Sequence, residues 1–234
     1  MSIAGKKSAR TARKSAQKPT RRHRKGSGAP LTRELIVAAA IKLVDQYGLP
    51  ALSMRRLGAE LGVDPMAVYY YLPGKQALLD AIVEAVMASI DLSLDDPTAP
   101  AEQRIVTAAC AYHEAMLAHV NALPIVLARG PATPAAMRPV ELLTGILRDA
   151  GLPPAAALAG MNVIAAMVRG AVGVWQTSQL PPRDFEAAMK SLPAAEFPRL
   201  HEAIPFAGCR VEQFLEFGVR AITHGLLAEA QKKA

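Results

Sequence analysis

The sequence predicts an all-α protein: a basic arm, a small helix-turn-helix domain and a larger helical domain. Three observations carry this. Of the 234 residues, 51% are hydrophobic but only 5% aromatic, and the apolar share is largely Ala, Leu and Val. Ala and Leu are strong helix formers. No window sustains the alternation of β-branched residues that a half-buried strand shows, and Pro and Gly clusters cut the chain into pieces of helical length. The length is ample for a buried core.

The arm comes first. Residues 1–30 hold ten Lys or Arg and no acid, leaving 17 basic against 20 acidic residues in the rest of a chain whose net charge is +7. The arm is rich in Ser, Thr, Ala, Gly and Pro, and it cannot bury enough surface to offset ordering entropy, so disorder is expected. It has neither the apolar stretch of a secretory signal nor the amphipathic stripe of a transit peptide. A solvated tail is one reading. A phosphate-seeking arm is the other, and it is favoured if the unit that follows binds nucleic acid.

Residues 31–92 form the second unit. Thr32 caps a helix to about Tyr47, with Ile36, Ala40, Leu43, Val44 and Tyr47 as its buried stripe and Gly48-Leu49-Pro50 as its stop. Residues 53–75, SMRRLGAELGVDPMAVYYYLPGK, then read as a helix, a tight turn and a second helix. Ser53 caps the first helix, and Met54, Leu57, Gly58 and Leu61 share one face. Gly62 suits a turn with positive φ; Asp64 and Pro65 restart the helix as cap and first residue. Val63, Val68 and Leu72 point inward and Met66, Ala67 and Tyr70 outward, with Tyr69 and Tyr71 on the flanks. Three consecutive tyrosines cannot all enter one core, so at least one phenol faces solvent. An αα-hairpin within a core explains that less well than a helix-turn-helix DNA reader does. After Pro73-Gly74, Lys75 opens a helix to about Asp91 with Leu78, Ile82, Ala85, Val86 and Ile90 inward.

Residues 93–234 begin with a linker, Asp95-Asp96-Pro97 through Pro100, and continue as helices over about 101–121, 124–129, 134–150 and 153–179. Three prolines break 183–207 into short helices, and a last helix spans about 209–229. The two long late helices are apolar on more than one side. Val163, Met167, Gly170 and Val174 line one face of the first, and Ile164, Val168 and Val172 begin another. Phe214, Gly218, Ala221 and Gly225 line one face of the second, and Val211, Leu215, Ile222 and Leu226 another. Such helices are either central in a monomer or share a face with a second subunit. Residues 155–175 resemble a membrane span, but Asn162, Arg169 and scattered Gly interrupt them, so a buried helix is expected and no membrane partner.

Catalytic and metal chemistry find no support in the residues. His113 and His119 are six apart and project from different helix faces, and no metal-binding, nucleophile or phosphate-loop motif occurs. Cys110 and Cys209 read as buried thiols of a reducing cytoplasm rather than a disulfide or zinc site. No enzyme activity and no cofactor are expected. An architectural DNA-binding protein is the competing reading, but it leaves the apolar second domain without a purpose.

Residues 32–91 resemble the N-terminal domain of the TetR (tetracycline-repressor) family of bacterial transcriptional regulators. The resemblance rests on Ala38 to Gly48, Leu52-Ser53-Met54-Arg55, Leu57, Leu61-Gly62-Val63, Tyr69, Pro73-Gly74-Lys75 and Leu78-Leu79. It implies a cytoplasmic homodimeric repressor, with the second motif helix in the major groove of a near-palindromic operator and an effector bound in the C-terminal domain. A ligand-dependent activator of the same family is the variant reading. By position, Pro65, Met66, Ala67 and Tyr70 would face base edges; Tyr69, Tyr71 and Lys75 would contact phosphates; and Arg55 would reach a phosphate or a base. Family members often carry His or Phe where this chain has Tyr71 and Leu72, and the outer face lacks Arg, Asn and Gln. Sequence choice is therefore expected to rest on Tyr70, Arg55 and DNA shape. The expected effector is small and hydrophobic, lined by His113, Met116, Val120, Met137, Met167, Trp175 and Phe206.

Overall fold

The computed structural model describes residues 30–177, 182–207 and 211–231, which hold helices and no strand. The first is α1 (Arg33–Tyr47), where Thr32 Oγ1 accepts the Leu35 N–H at 3.2 Å and Gly48, at φ 74°, stops the helix. Ile36, Val37, Ala40, Leu43 and Val44 are its buried stripe. Next come α2 (Met54–Leu61), α3 (Pro65–Tyr71) and α4 (Lys75–Ala88), closing a small bundle around Leu57, Val68, Leu78 and Ile82. The second half consists of α5 (Ala101–Ala118), α6 (Leu123–Ala128), α7 (Pro134–Asp149), α8 (Pro154–Thr177), α9 (Pro182–Ser191), α10 (Pro198–Ala203) and α11 (Val211–Gln231).

Residues 31–234 pack as one unit, because the bundle's core does not stop at α4. It continues into Ala111, Ala115 and Met116 of α5 and Leu123, Ile125 and Val126 of α6. Each fully buried Leu, Ile or Met contributes about 1.5–3 kcal/mol, so this shared core joins the two halves firmly. A second core joins α5, α7, α8 and α11 through Ile105, Ile146, Leu147, Ile164, Val168, Leu215 and Val219.

The periodicity expects α5 to run to about residue 121, yet it ends at Ala118. The cause is a polar seam to the first half. His119 leaves the helical region at φ −128°, ψ 44°, which brings its Nδ1 within 2.9 Å of Asp45 Oδ2. Asn121 Nδ2 donates to the Asp45 carbonyl at 2.8 Å. A second polar contact forms beside α6, where Arg129 pairs with Asp80 of α4 and donates to the Gln76 carbonyl. The reader bundle is thus tied to the second half through both α1 and α4.

The connection from α4 to α5 is clamped by a two-pronged ion pair. Arg104 Nε donates to Asp95 Oδ1 at 2.9 Å and Nη2 donates to Oδ2 at 2.8 Å, with both side chains largely shielded. Hydrogen bonds from Arg104 hold the Asp95 carboxyl below the usual carboxylate range, opposed in part by burial. Lowering a folded-state pKa adds stability above the unfolded value and loses it as pH falls through the folded one. Asp95→Asn is therefore expected to cost about 1–2 kcal/mol near neutrality. In thermal melts the gap from wild type should close as pH drops below about 4.

Helix α8 is long and apolar enough over Pro154–Val174 to cross a bilayer by length and composition. Here its Ile164, Val168 and Val172 face are buried in the core, while Val163, Gly170 and Val174 are open. In α11, Leu215 and Val219 are buried, and Phe214, Phe217 and Ala221 are open. The glycines divide the same way. A Cβ on Gly218 would sit 1.8 Å from Met167 Cε, and one on Gly160 would sit 2.9 Å from Leu226 Cδ1, so these two let α8 and α11 approach within the chain. Gly170 and Gly225 face open space.

Candidate nucleic-acid interface and effector cavity

The reader is built by capping and by one close approach. Ser53 Oγ accepts the Arg56 N–H at 3.2 Å and starts α2. Gly62, at φ 66°, ψ 26°, ends it in the left-handed region that glycine adopts without strain. Asp64 Oδ1 takes the Met66 N–H at 2.8 Å, and Pro65 occupies the first helical position of α3. Gly58 fixes the distance between the two helices. A Cβ there would lie 3.1 Å from the Val63 carbonyl oxygen and 3.2 Å from the Pro65 backbone.

This geometry turns Met66 (71% exposed) and Tyr70 (85% exposed) outward. Tyr69 and Tyr71 are also exposed, and the Tyr70 and Tyr71 rings meet edge-to-face with centroids 5.3 Å apart. Such contact limits the freedom of both rings before any partner arrives. Charge is arranged to suit an anion. Glu60 pairs with Lys42, Glu84 with Arg33, Asp80 with Arg129 and Asp45 with His119. Arg55, Arg56 and Lys75 pair with no acid among the described residues, although residues 31–92 carry more acids than bases. A phosphate backbone would therefore meet free cations.

A cavity of about 280 Å³ lies between α4, α5, α7 and α8, near the small end of ligand pockets at ~300–1,000 Å³. Met87 of α4 and Ile90 just beyond its end form one wall and Leu142 and Leu143 of α7 another; Met161 and Ile164 belong to α8. Tyr112, Asn162 and Arg169 supply its polar side chains.

Comparison with known proteins decides the family. Residues 36–82 match the model of bacterial regulatory proteins of the tetR family, and residues 96–230 match the tetracyclin repressor-like C-terminal domain. The chain belongs to the TetR family. Tetracycline repressor protein class C of Escherichia coli is 32% identical over 151 residues, covering 64% of this chain and 68% of that one. The HTH-type transcriptional repressor DrrR1 of Streptomyces coeruleorubidus is 46% identical over 66 residues, 28% of this chain and 24% of that one. Apo ActR from Streptomyces coelicolor superposes with a TM-score of 0.79 at 29% identity, over 89% of this chain and all of that one. ActR in complex with actinorhodin gives 0.75 at 29% identity, over 86% and 99%. This TetR-family protein is thus a ligand-responsive, DNA-binding transcriptional repressor and not an enzyme.

Set against the sequence reading, the structure brings together the reader residues as a group and separates the ligand set. Arg55, Met66, Tyr69, Tyr70, Tyr71 and Lys75 are exposed, while Pro65 and Ala67 are half-buried, Pro65 lying against Gly58. Arg56, which the motif did not single out, lies 4.3 Å from the Tyr47 ring centroid in a cation–π contact. Tyr47 itself, expected in the α1 stripe, is 58% exposed. Of the seven ligand candidates, Met137 lines the cavity. His113 and Met116 are buried in α5, Val120 is half-buried near α1, and Met167 covers Gly218. Phe206 is 76% exposed, and the side chain of Trp175 lies outside the described residues. The basic arm to residue 29 and Cys209 lie outside them as well. Cys110 is half-buried rather than buried, and burial pushes its thiol pKa up.

Proposed function

We propose that the protein works in the bacterial cytoplasm as a homodimer on a near-palindromic operator, released or retained there by a small, largely hydrophobic effector in the α4–α8 cavity. Pro65, Met66, Ala67 and Tyr70 would read base edges from the major groove, Tyr69, Tyr71 and Lys75 would hold phosphates, and Arg55 would reach a phosphate or a base. One observation carries the reading. Helix α4 lines the cavity with Met87 in its last turn, followed by Ile90 just past its end, and its first residue, Lys75, follows α3 closely at the other end. A molecule filling the cavity would therefore press on the helix from which the reader hangs. The six residues proposed with Met137 remain secondary to the cavity lining as ligand contacts.

The dimer reading rests on the open faces of α8 and α11. Val163, Ala166, Gly170 and Val174 lie on one helix and Phe214, Phe217 and Ala221 on the other. Small residues among large ones let two helix pairs close into a two-fold bundle, and a two-fold dimer meets a palindrome with matching half-sites. Footprinting of purified protein on selected genomic sites tests this. Two protected half-sites about one helical turn apart are expected. Sequence-blind coating would instead mark an architectural protein. Ala221→Arg should sediment as a monomer and lose roughly 100-fold or more in operator affinity, since each half-site alone holds weakly. A monomeric wild type, or a dimeric Ala221→Arg with full affinity, would refute the dimer.

A further inference from the structure

The effector cavity has one feature that an apolar ligand leaves unexplained. Its lining includes a guanidinium. Arg169 interrupts the apolar run of α8, is half-buried, and forms no ion pair among the described residues. Among the described residues it reaches the Tyr112 hydroxyl through Nη1 at a long 3.5 Å. No Asp or Glu lines the cavity. Arginine stays protonated at any working pH and presents five donors in a planar fork that fits a carboxylate with two parallel bonds. A cation facing apolar walls loses hydration without gaining a counter-ion, a cost that a bound anion would offset.

The hydroxyl suits the same ligand group, and the amide adds a further donor to the lining. Tyr112 can donate its O–H to an anion held by Arg169. Asn162 spends one N–H on the Leu158 carbonyl at 2.9 Å, which fixes its amide in place while leaving a second N–H. The remaining walls, from Met87, Leu143, Met161 and Ile164, offer only dispersion and hydrophobic contact. The lining therefore combines the Arg169–Tyr112 pair and one amide with walls that are otherwise apolar.

From this geometry, and resting on the reading of the cavity as the effector site, we infer that the effector is a compact aromatic carrying one carboxylate. Arg169 is its counter-ion and Tyr112 a second donor. The carboxylate sets orientation, and the ring system fills the space against α4. Neutral analogues of the same shape enter but bind weakly.

The test is titration calorimetry of the full chain with 2-naphthylacetic acid and with 2-naphthylacetamide, which share a ring system and differ in charge at neutral pH. The acid should bind at least tenfold more tightly than the amide. Arg169→Met should abolish that preference by weakening the acid alone, and Arg169→Lys should keep part of it. Equal affinities in the wild type, or a preference that survives Arg169→Met, would overturn the anionic subsite. The cavity would still stand as an effector site if both probes are excluded by Ala108→Phe, which fills it. Failure of both probes to bind, or binding indifferent to Ala108→Phe, would overturn the cavity reading and this inference together. The comparison of acid with amide on the wild type decides the matter even if an Arg169 variant does not fold.

Discussion

Removal of residues 1–25 is expected to weaken operator binding strongly and to flatten its dependence on salt. The segment carries ten Lys or Arg and no acid, whereas residues 31–92 hold five basic residues against seven acidic ones. Two of those five, Arg33 and Lys42, already pair with Glu84 and Glu60. The reader therefore brings three free cations to the duplex, and further phosphate contacts would come from the arm. Each phosphate neutralised contributes about 0.9 to the slope of log K against log salt. If four or five arm cations reach the backbone, the truncated protein should show a slope roughly four units shallower and about a hundredfold weaker binding at moderate salt. The measurement is operator affinity across a salt series for both forms. Parallel lines would show that the arm has no part in binding.

Gly58→Val should abolish operator recognition with every DNA-facing side chain intact. A Cβ at this position would stand 3.1–3.2 Å from the Val63 oxygen and the Pro65 backbone, atoms that cannot rotate away as a side-chain tip can. Valine adds two methyl groups beyond that. Either α3 moves off α2 or the turn at Gly62 reopens, and overpacking of this kind costs about 1–3 kcal/mol. Because α3 spans only Pro65–Tyr71, a small displacement moves Met66 and Tyr70 away from their partners together. Expected results are a melting temperature several degrees lower and operator affinity reduced by more than about a hundredfold. Wild-type footprints from Gly58→Val would show that the spacing of α2 and α3 tolerates a side chain.

The reader was legible in the sequence because its signals are local. Ser53, Gly62, Asp64 and Pro65 each act on the backbone within a few residues, and each does in the structure what its chemistry predicts. The buried stripes of α1 and α4 were readable for the same reason, since a helix repeats its inward face every three or four residues. What failed to show was whatever depends on partners distant in sequence. The end of α5 is set by Asp45, 74 residues before His119. Tyr47 has stripe spacing but stacks under Arg56 in solvent. Met87, Leu143 and Met161 come together at the cavity from three helices, and no periodicity links them. Methionine and aromatic content selected Met116 and Met167, but these fill space inside the protein instead. One signal was visible but only half read. Arg169, with Asn162, stood out as an interruption in an apolar helix, which favoured a buried helix over a membrane span, and it is also a polar group in the cavity wall.

The Asp45 seam bears on how freely such a regulator can be recombined. A reader bundle joined to its sensor by a flexible tether could be exchanged among relatives like a cartridge. Here the end of α1 accepts from Asn121 and meets His119, α4 meets Arg129, and a continuous apolar core runs beneath both contacts. The unit that heredity or engineering can transplant is therefore larger than the helix-turn-helix itself: it extends through Arg129, and a graft cut at residue 92 would separate both halves of the joint from their mates.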